Sequence, residues 1–172
     1  MSNEVWSNWQ AKEWRWQLRV VVSSLKPLAL KHQIFILDAN LLGHLNEKTY
    51  RESTQNLMNH LLQALKMKKL GPLQVFPAED KRAPGWSFIQ PITTSHVSGH
   101  YFEKPGRFPH IHIDIYSCCF FRWQNIIDVL DQHLQLKDWS ANFIKRHTRL
   151  GHRKIIGLAG KGKTIKKMKA LP

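Results

Sequence analysis

Between Gly85 and Cys119 the chain reads GWSFIQPITTSHVSGHYFEKPGRFPHIHIDIYSCC, and its candidate reactive side chains gather there. Ser87 and Ser95 offer hydroxyls, His96 and His100 follow the second serine closely, and Cys118 and Cys119 close an alternating run. A serine hydroxyl becomes a nucleophile when the backbone orients it and a base lies within reach. A thiol held neutral can donate a proton at neutral pH. Taken singly these residues are ordinary, since lone serines and histidines mostly serve turns, caps and surfaces. Their order and spacing single the stretch out.

Two further patterns carry chemistry on paper. His110 and His112 are two apart on a predicted strand and share a face, as two metal ligands would. No third ligand stands at a telling distance and Asp114 is too generic to count, so polar or dimer-facing surface is the simpler reading. In the run GLAGKGKT, Gly157, Gly162, Lys163 and Thr164 resemble a phosphate-binding loop. That loop needs a strand before it and a long helix after it. Only eight residues follow Thr164, and a solvated basic tail is the expectation instead.

The elements that position these residues follow from periodicity. QIFIL, Gln33 to Leu37, reads as a buried strand ending at Asp38-Ala39-Asn40. Thr49 and Glu52 have capping-box spacing and introduce a helix to about Met67, with Leu57, Leu61 and Leu65 on one face. Gly71-Pro72 stops it, and Leu73 to Phe76 is the next strand. Ser87–Ile92 and Thr94–Tyr101 read as extended segments with an edge or bulge near Pro91, because proline lacks the donor a central strand needs. HIHIDIYS, His110 to Ser117, is the cleanest strand: Ile111, Ile113 and Ile115 share one face, His110, His112 and Asp114 the other. Trp123, Ile126, Ile127, Leu130 and Leu134 mark a second amphipathic helix. Phe143–Ile144 and Lys154–Leu158 add short strands. The order predicts an α/β (α+β) two-layer sandwich, an antiparallel sheet with helices on one face. Residues 1–30, with Trp6, Trp9, Trp14 and Trp16, read as an extension, 31–150 as the α/β domain and 151–172 as a basic tail.

Composition narrows the class. With 42% hydrophobic residues and seven Trp, the chain has material for a core, which argues against wholesale disorder. Adjacent cysteines suit neither a disulfide framework nor a four-ligand zinc site, so a reducing, cytoplasmic location is expected. No signal peptide or membrane span is legible. The net charge of +14 is uneven: from Lys145 onward there are ten Lys or Arg and no acid. Such a segment could contact anionic partners, nucleic acid included, without specificity.

Read together, TSHVSGHYFE followed by IDIYSC resembles the S-adenosylmethionine decarboxylase proenzymes of bacteria and archaea. Those typically carry ESH-x-S/T-I-H-T-x-P-E and then a strand of the VDIFTC kind. The likeness runs from about Lys31 to Lys145 and includes a G-x-S, Gly85 to Ser87, eight residues before the reactive serine. A three-residue excess falls in the turn near Lys104–Phe108.

The resemblance implies a self-processing enzyme with the fold of that family. The serine matching Ser95 attacks the preceding carbonyl, here that of Thr94, turning an amide into an ester. Elimination then divides the chain into residues 1–94 and 95–172 and leaves a pyruvoyl group at the new amino terminus. That cofactor takes the substrate amine as a Schiff base and serves as an electron sink for decarboxylation. By the same resemblance His100 assists processing, Ser87 hydrogen-bonds the reacting centre and Cys118 protonates the carbanion. Cys119 stands where the family usually has glycine and faces away from Cys118 on a strand end.

Two departures stand out. Thr94 replaces a usual Glu, which predicts slower processing. Tyr101-Phe102-Glu103-Lys104 replaces Thr-x-Pro-Glu, so the acid for the ribose hydroxyls is Glu103, one residue out of register, or is missing. Asp38 is a candidate contact for a substrate amine, and Trp86 for stacking on adenine or as an apolar wall. No metal is implied. The function expected is decarboxylation of S-adenosylmethionine for polyamine (spermidine) synthesis. Alternatives are a pyruvoyl-dependent arginine or ornithine decarboxylase, or an inactive relative that binds nucleic acid through its basic tail. Ser87, Ser95, His100 and Cys118 are expected to converge on the Thr94–Ser95 bond, beside the interface of a homodimer or higher assembly of processed heterodimers.

Overall fold

The computed structural model describes residues 32–147 and 152–171; the Trp-rich extension lies outside them. Eight strands form one antiparallel sheet in the order β2-β3-β4-β5-β1-β6-β7-β8. They are β1 (His32–Leu41), β2 (Gln74–Pro77), β3 (Gly85–Ile92), β4 (Ser95–Phe102), β5 (His110–Ser117), β6 (Leu136–Arg146), β7 (Arg153–Lys161) and β8 (Thr164–Leu171). Helices α1 (Tyr50–Leu65) and α2 (Trp123–Leu134) cover one face. The two-layer α+β architecture is the one the periodicities predict.

Alternation decides which residues meet the helices. Phe35, Leu37, Ala39 and Leu41 of β1 are buried, as are Ile111, Ile113 and Ile115 of β5. Against them pack Leu57, Met58 and Leu61 of α1 and Ile126, Ile127 and Leu130 of α2. Each such side chain contributes about 1.5–3 kcal/mol on leaving water. Gly99 of β4 is required by this packing: a Cβ there would lie 2.3 Å from the Phe88 ring and 2.7 Å from the His112 carbonyl oxygen. Among the described residues no helix lies over the other face, and His100, His110, His112 and Asp38 stand on it.

Several boundaries differ from the sequence reading. β1 continues past Asp38 to Leu41, because Asp38 and Asn40 pair with histidines of β5 rather than ending the strand. The α1 helix stops at Leu65, where Lys66 takes a left-handed conformation, and Thr49 makes no side-chain cap bond. Pro91 lies in an internal strand, yet β2 pairs only with Trp86–Ile89, so no β2 residue faces Pro91 to need its missing donor.

The largest difference is at the basic end. It is not a solvated tail: β7 pairs with β6, and β8 closes the sheet as an edge. Gly162, at φ +48°, makes the hairpin turn, and its carbonyl accepts a bond from Trp139 Nε1 at 2.8 Å. The glycines that resembled a phosphate loop therefore belong to a strand and its turn. All of β8 is exposed, and lysines along a free edge discourage further pairing. Among the described residues no helix is long and apolar enough to cross a membrane.

Candidate active site

The register of four adjacent strands lines up one polar row on the open face. Ser87 of β3 lies opposite His100 of β4, His100 opposite His112 of β5, and His112 opposite Asp38 of β1. Most of their neighbours along the strands are buried under the helices, such as Trp86 and Phe88 beside Ser87. Period-two alternation therefore turns the row away from the core. Ser87 Oγ is 2.6 Å from His100 Nδ1, and the His100 ring rests on Phe102 at 4.1 Å between centroids. Burial holds His100 below the ordinary histidine range, and the neighbouring His112 adds to the effect. A neutral imidazole anchored by a hydroxyl is an arrangement suited to taking a proton.

A second group forms at the opposite end of the β3–β4 hairpin. Ser95 opens β4 with φ +149°, a region that residues with a side chain rarely occupy and that costs on the order of 1–3 kcal/mol. The carbonyl of Thr94, which precedes it, accepts a hydrogen bond from the backbone N–H of Cys118 at 3.0 Å. Ser117, fully buried, donates from Oγ to Thr94 Oγ1 at 3.1 Å and accepts from Cys119 N–H at 3.0 Å. Ser95 Oγ is 3.1 Å from His96 Nδ1. The bend thus combines a hydroxyl, a nearby imidazole and a carbonyl polarised by an amide donor. Cys118 is half-buried and Cys119 exposed, as opposite faces require.

The sequence reading expected Ser87, Ser95, His100 and Cys118 to converge, and within one chain they do not. Ser95 and Cys118 sit together, whereas Ser87 and His100 are five residues further along β4 from Ser95, about 16 Å of extended chain. Sequence order could not show this, because a strand carries residues apart that a compact loop would bring together. Asp38 belongs to the Ser87–His100 row, with its carboxylate bonded to His112. Glu103 lies just past β4, where its N–H donates to the Pro84 carbonyl at 2.8 Å. It lines a cleft with Glu47, Tyr50 and Trp86 and joins neither group. Glu47 hydrogen-bonds its carboxyl, which lowers the pKa of Glu103 and raises that of Glu47. Ser117 and His96 were not singled out by role in the sequence. Only their contacts with Thr94 and Ser95 reveal them.

Trp86 lies in the core rather than on the open face of the sheet. It is 3% exposed, donates from Nε1 to Thr54 Oγ1 at 3.2 Å, and packs on Tyr50 and Tyr101. Trp86→Phe should therefore lower unfolding stability by roughly 1–3 kcal/mol through a lost bond and a small cavity. Urea titration measures that loss, while the Michaelis constant of any activity should stay within about twofold of the wild type. A large rise in that constant without a stability change would return Trp86 to a binding role.

The family model of S-adenosylmethionine decarboxylase matches residues 43–147. The chain belongs to that family. No curated protein matches it. The decarboxylase match takes in both helices and β2 through β6, so Ser87, Thr94, Ser95, His100 and Cys118 all lie inside it. Outside lie β1, which supplies Asp38, and the β7–β8 hairpin, which carries much of the positive charge. Family membership supports a function of the S-adenosylmethionine decarboxylase type.

Proposed function

We propose that the protein is a self-processing, pyruvoyl-dependent decarboxylase of S-adenosylmethionine, feeding polyamine synthesis, and that it works as a homodimer. The observation that carries this reading is the backbone at Ser95, held at φ +149° with the preceding carbonyl bonded to Cys118 N–H. Attack of Ser95 Oγ on the Thr94 carbonyl carbon breaks the 94–95 amide and forms an ester, and the Ser95 hydroxyl proton passes to His96 Nδ1. The Cys118 amide is positioned to stabilise negative charge on the Thr94 oxygen as the carbon becomes tetrahedral. Transfer of the Ser95 Cα proton to a base, the role this reading gives His100, then expels Thr94 as a carboxylate. Water converts the remaining dehydroalanine to a pyruvoyl group and releases ammonia.

The residues around position 95 fit such a group: His96, Ser117 and Cys118 are polar, close and bound to the Thr94–Ser95 bend. A pyruvoyl carbonyl supplies an electron sink for the pair released as carbon dioxide leaves. In this reading the Cys118 thiol returns a proton to the substrate carbon. Ser87 and His100 need a second copy to reach this end. A two-fold axis between two open faces, crossing β4 at right angles, exchanges its ends and sets one chain's His100 against its partner's Ser95. The open face also carries Ile34, Ile36, Ile89 and Phe102, apolar surface that a sheet covered on one side either exposes or buries in a partner.

Intact mass after prolonged incubation tests the proposal. Two fragments dividing between Thr94 and Ser95 are expected, the second blocked at its amino terminus, with release of labelled carbon dioxide from carboxyl-labelled S-adenosylmethionine. A lasting single chain overturns self-processing, and release only from arginine or ornithine overturns the substrate. Cys118→Ala separates the two roles of that residue. The backbone N–H survives, so cleavage proceeds, while decarboxylation falls about 10²–10⁴-fold for want of the proton donor.

A further inference from the structure

We propose that Asp38, His110 and His112 form a binding site for one divalent transition-metal ion on the open face of the sheet. The two histidines alternate along β5, and Asp38 reaches them from β1, directly opposite His112. One ligand atom from each of the three lies within 4.8 Å of the other two. A tetrahedral ion with bonds near 2.0–2.1 Å holds its ligands about 3.4 Å apart. Closing that difference takes only side-chain rotation, and the Asp38 and His112 side chains are each 48% exposed.

The arrangement around His110 is what raises this cluster above a surface ion pair. Asn40 Nδ2 donates to Asp138 Oδ1 at 2.7 Å, and a carboxylate can only accept. The Asn40 amide is thereby oriented with Oδ1 toward His110 Nδ1, at 2.9 Å. An amide oxygen also only accepts, so Nδ1 carries the ring proton and Nε2 presents its lone pair. This is how outer-shell groups fix the tautomer of metal-binding histidines. The half-exposed Asp38–His112 contact alone would contribute little to stability and leaves the Asp138–Asn40–His110 chain without a role. Two imidazoles and a carboxylate select zinc, cobalt or nickel over magnesium or calcium, with water completing the shell. The site does not depend on self-processing.

Titrating metal-free full-length protein with cobalt(II), followed by visible absorption, tests this, and calorimetry with zinc gives the affinity. One equivalent is expected, with ligand-field bands but no intense thiolate charge-transfer band, which would report Cys118 or Cys119 instead. His110→Ala and His112→Gln should each abolish binding, and Asn40→Ala should weaken it about 10–100-fold. Thermal melts of the metal-free variants verify folding. Should a histidine variant fail to fold, the Asn40→Ala affinity and zinc-induced NMR shifts of His110 and His112 in the wild type decide. No uptake by the wild type, uptake unchanged in the variants, or unshifted His110 and His112 resonances would each overturn the site.

Discussion

Full-length protein carrying Ser95→Ala remains a single 20.2-kDa chain under conditions that divide the wild type. The expectation is complete loss of cleavage, because alanine removes the hydroxyl that the proposed step uses to attack the Thr94 carbonyl. The same position offers a second, independent reading of the strain. Ser95→Gly also lacks the hydroxyl and also stays intact, but glycine tolerates φ +149° whereas alanine does not. The glycine variant should therefore be more stable than the alanine variant by about 1–2 kcal/mol. Equal stabilities would mean the backbone at residue 95 is relaxed in solution. Cleavage in Ser95→Ala would remove that hydroxyl from the chemistry altogether.

The second large effect separates the two ends of β4. His100→Ala alone should slow processing about 10²–10⁴-fold, the usual contribution of a positioned base. If His100 serves the partner's bond, co-expressing His100→Ala and Ser95→Ala chains with different tags gives a defined pattern. In the mixed dimer the His100→Ala chain has an intact Ser95 and meets an intact His100 across the interface, so it is cleaved. The Ser95→Ala chain stays whole. Co-purified mixed dimers with no cleavage of either chain would place His100 in its own subunit's reaction. The distance along β4 motivates the experiment: Ser95 and His100 lie at its two ends, too far for side chains of one chain to touch.

How much was legible beforehand depended on the range of the interactions involved. HIHIDIYS announced β5 and both its faces, because a half-covered strand imprints period two on its own residues. The α1 and α2 helices announced themselves in the same local way. TIKKMKAL did not announce β8. Its lysines break the apolar alternation, and it is a strand only because Ile156, Leu158 and their neighbours on β7 offer an edge to pair with. Asp38 looked like a strand terminus until Asn40 and Asp38 found His110 and His112 seventy or more positions away.

By itself, then, the sequence determined the fold class and the family and named candidate reactive residues, since those rest on local periodicity and on motif order. Ser95, Cys118, Ser87 and His100 were named without coordinates. Tertiary structure decided what they do for one another. Strand register separates them into Ser95 with Cys118 at one end and Ser87 with His100 at the other. It turns Trp86 into the core and sets Asp38 beside two histidines. Register is a pairing between distant segments, governed by backbone hydrogen bonds and by which face is buried. No single stretch of sequence carries it.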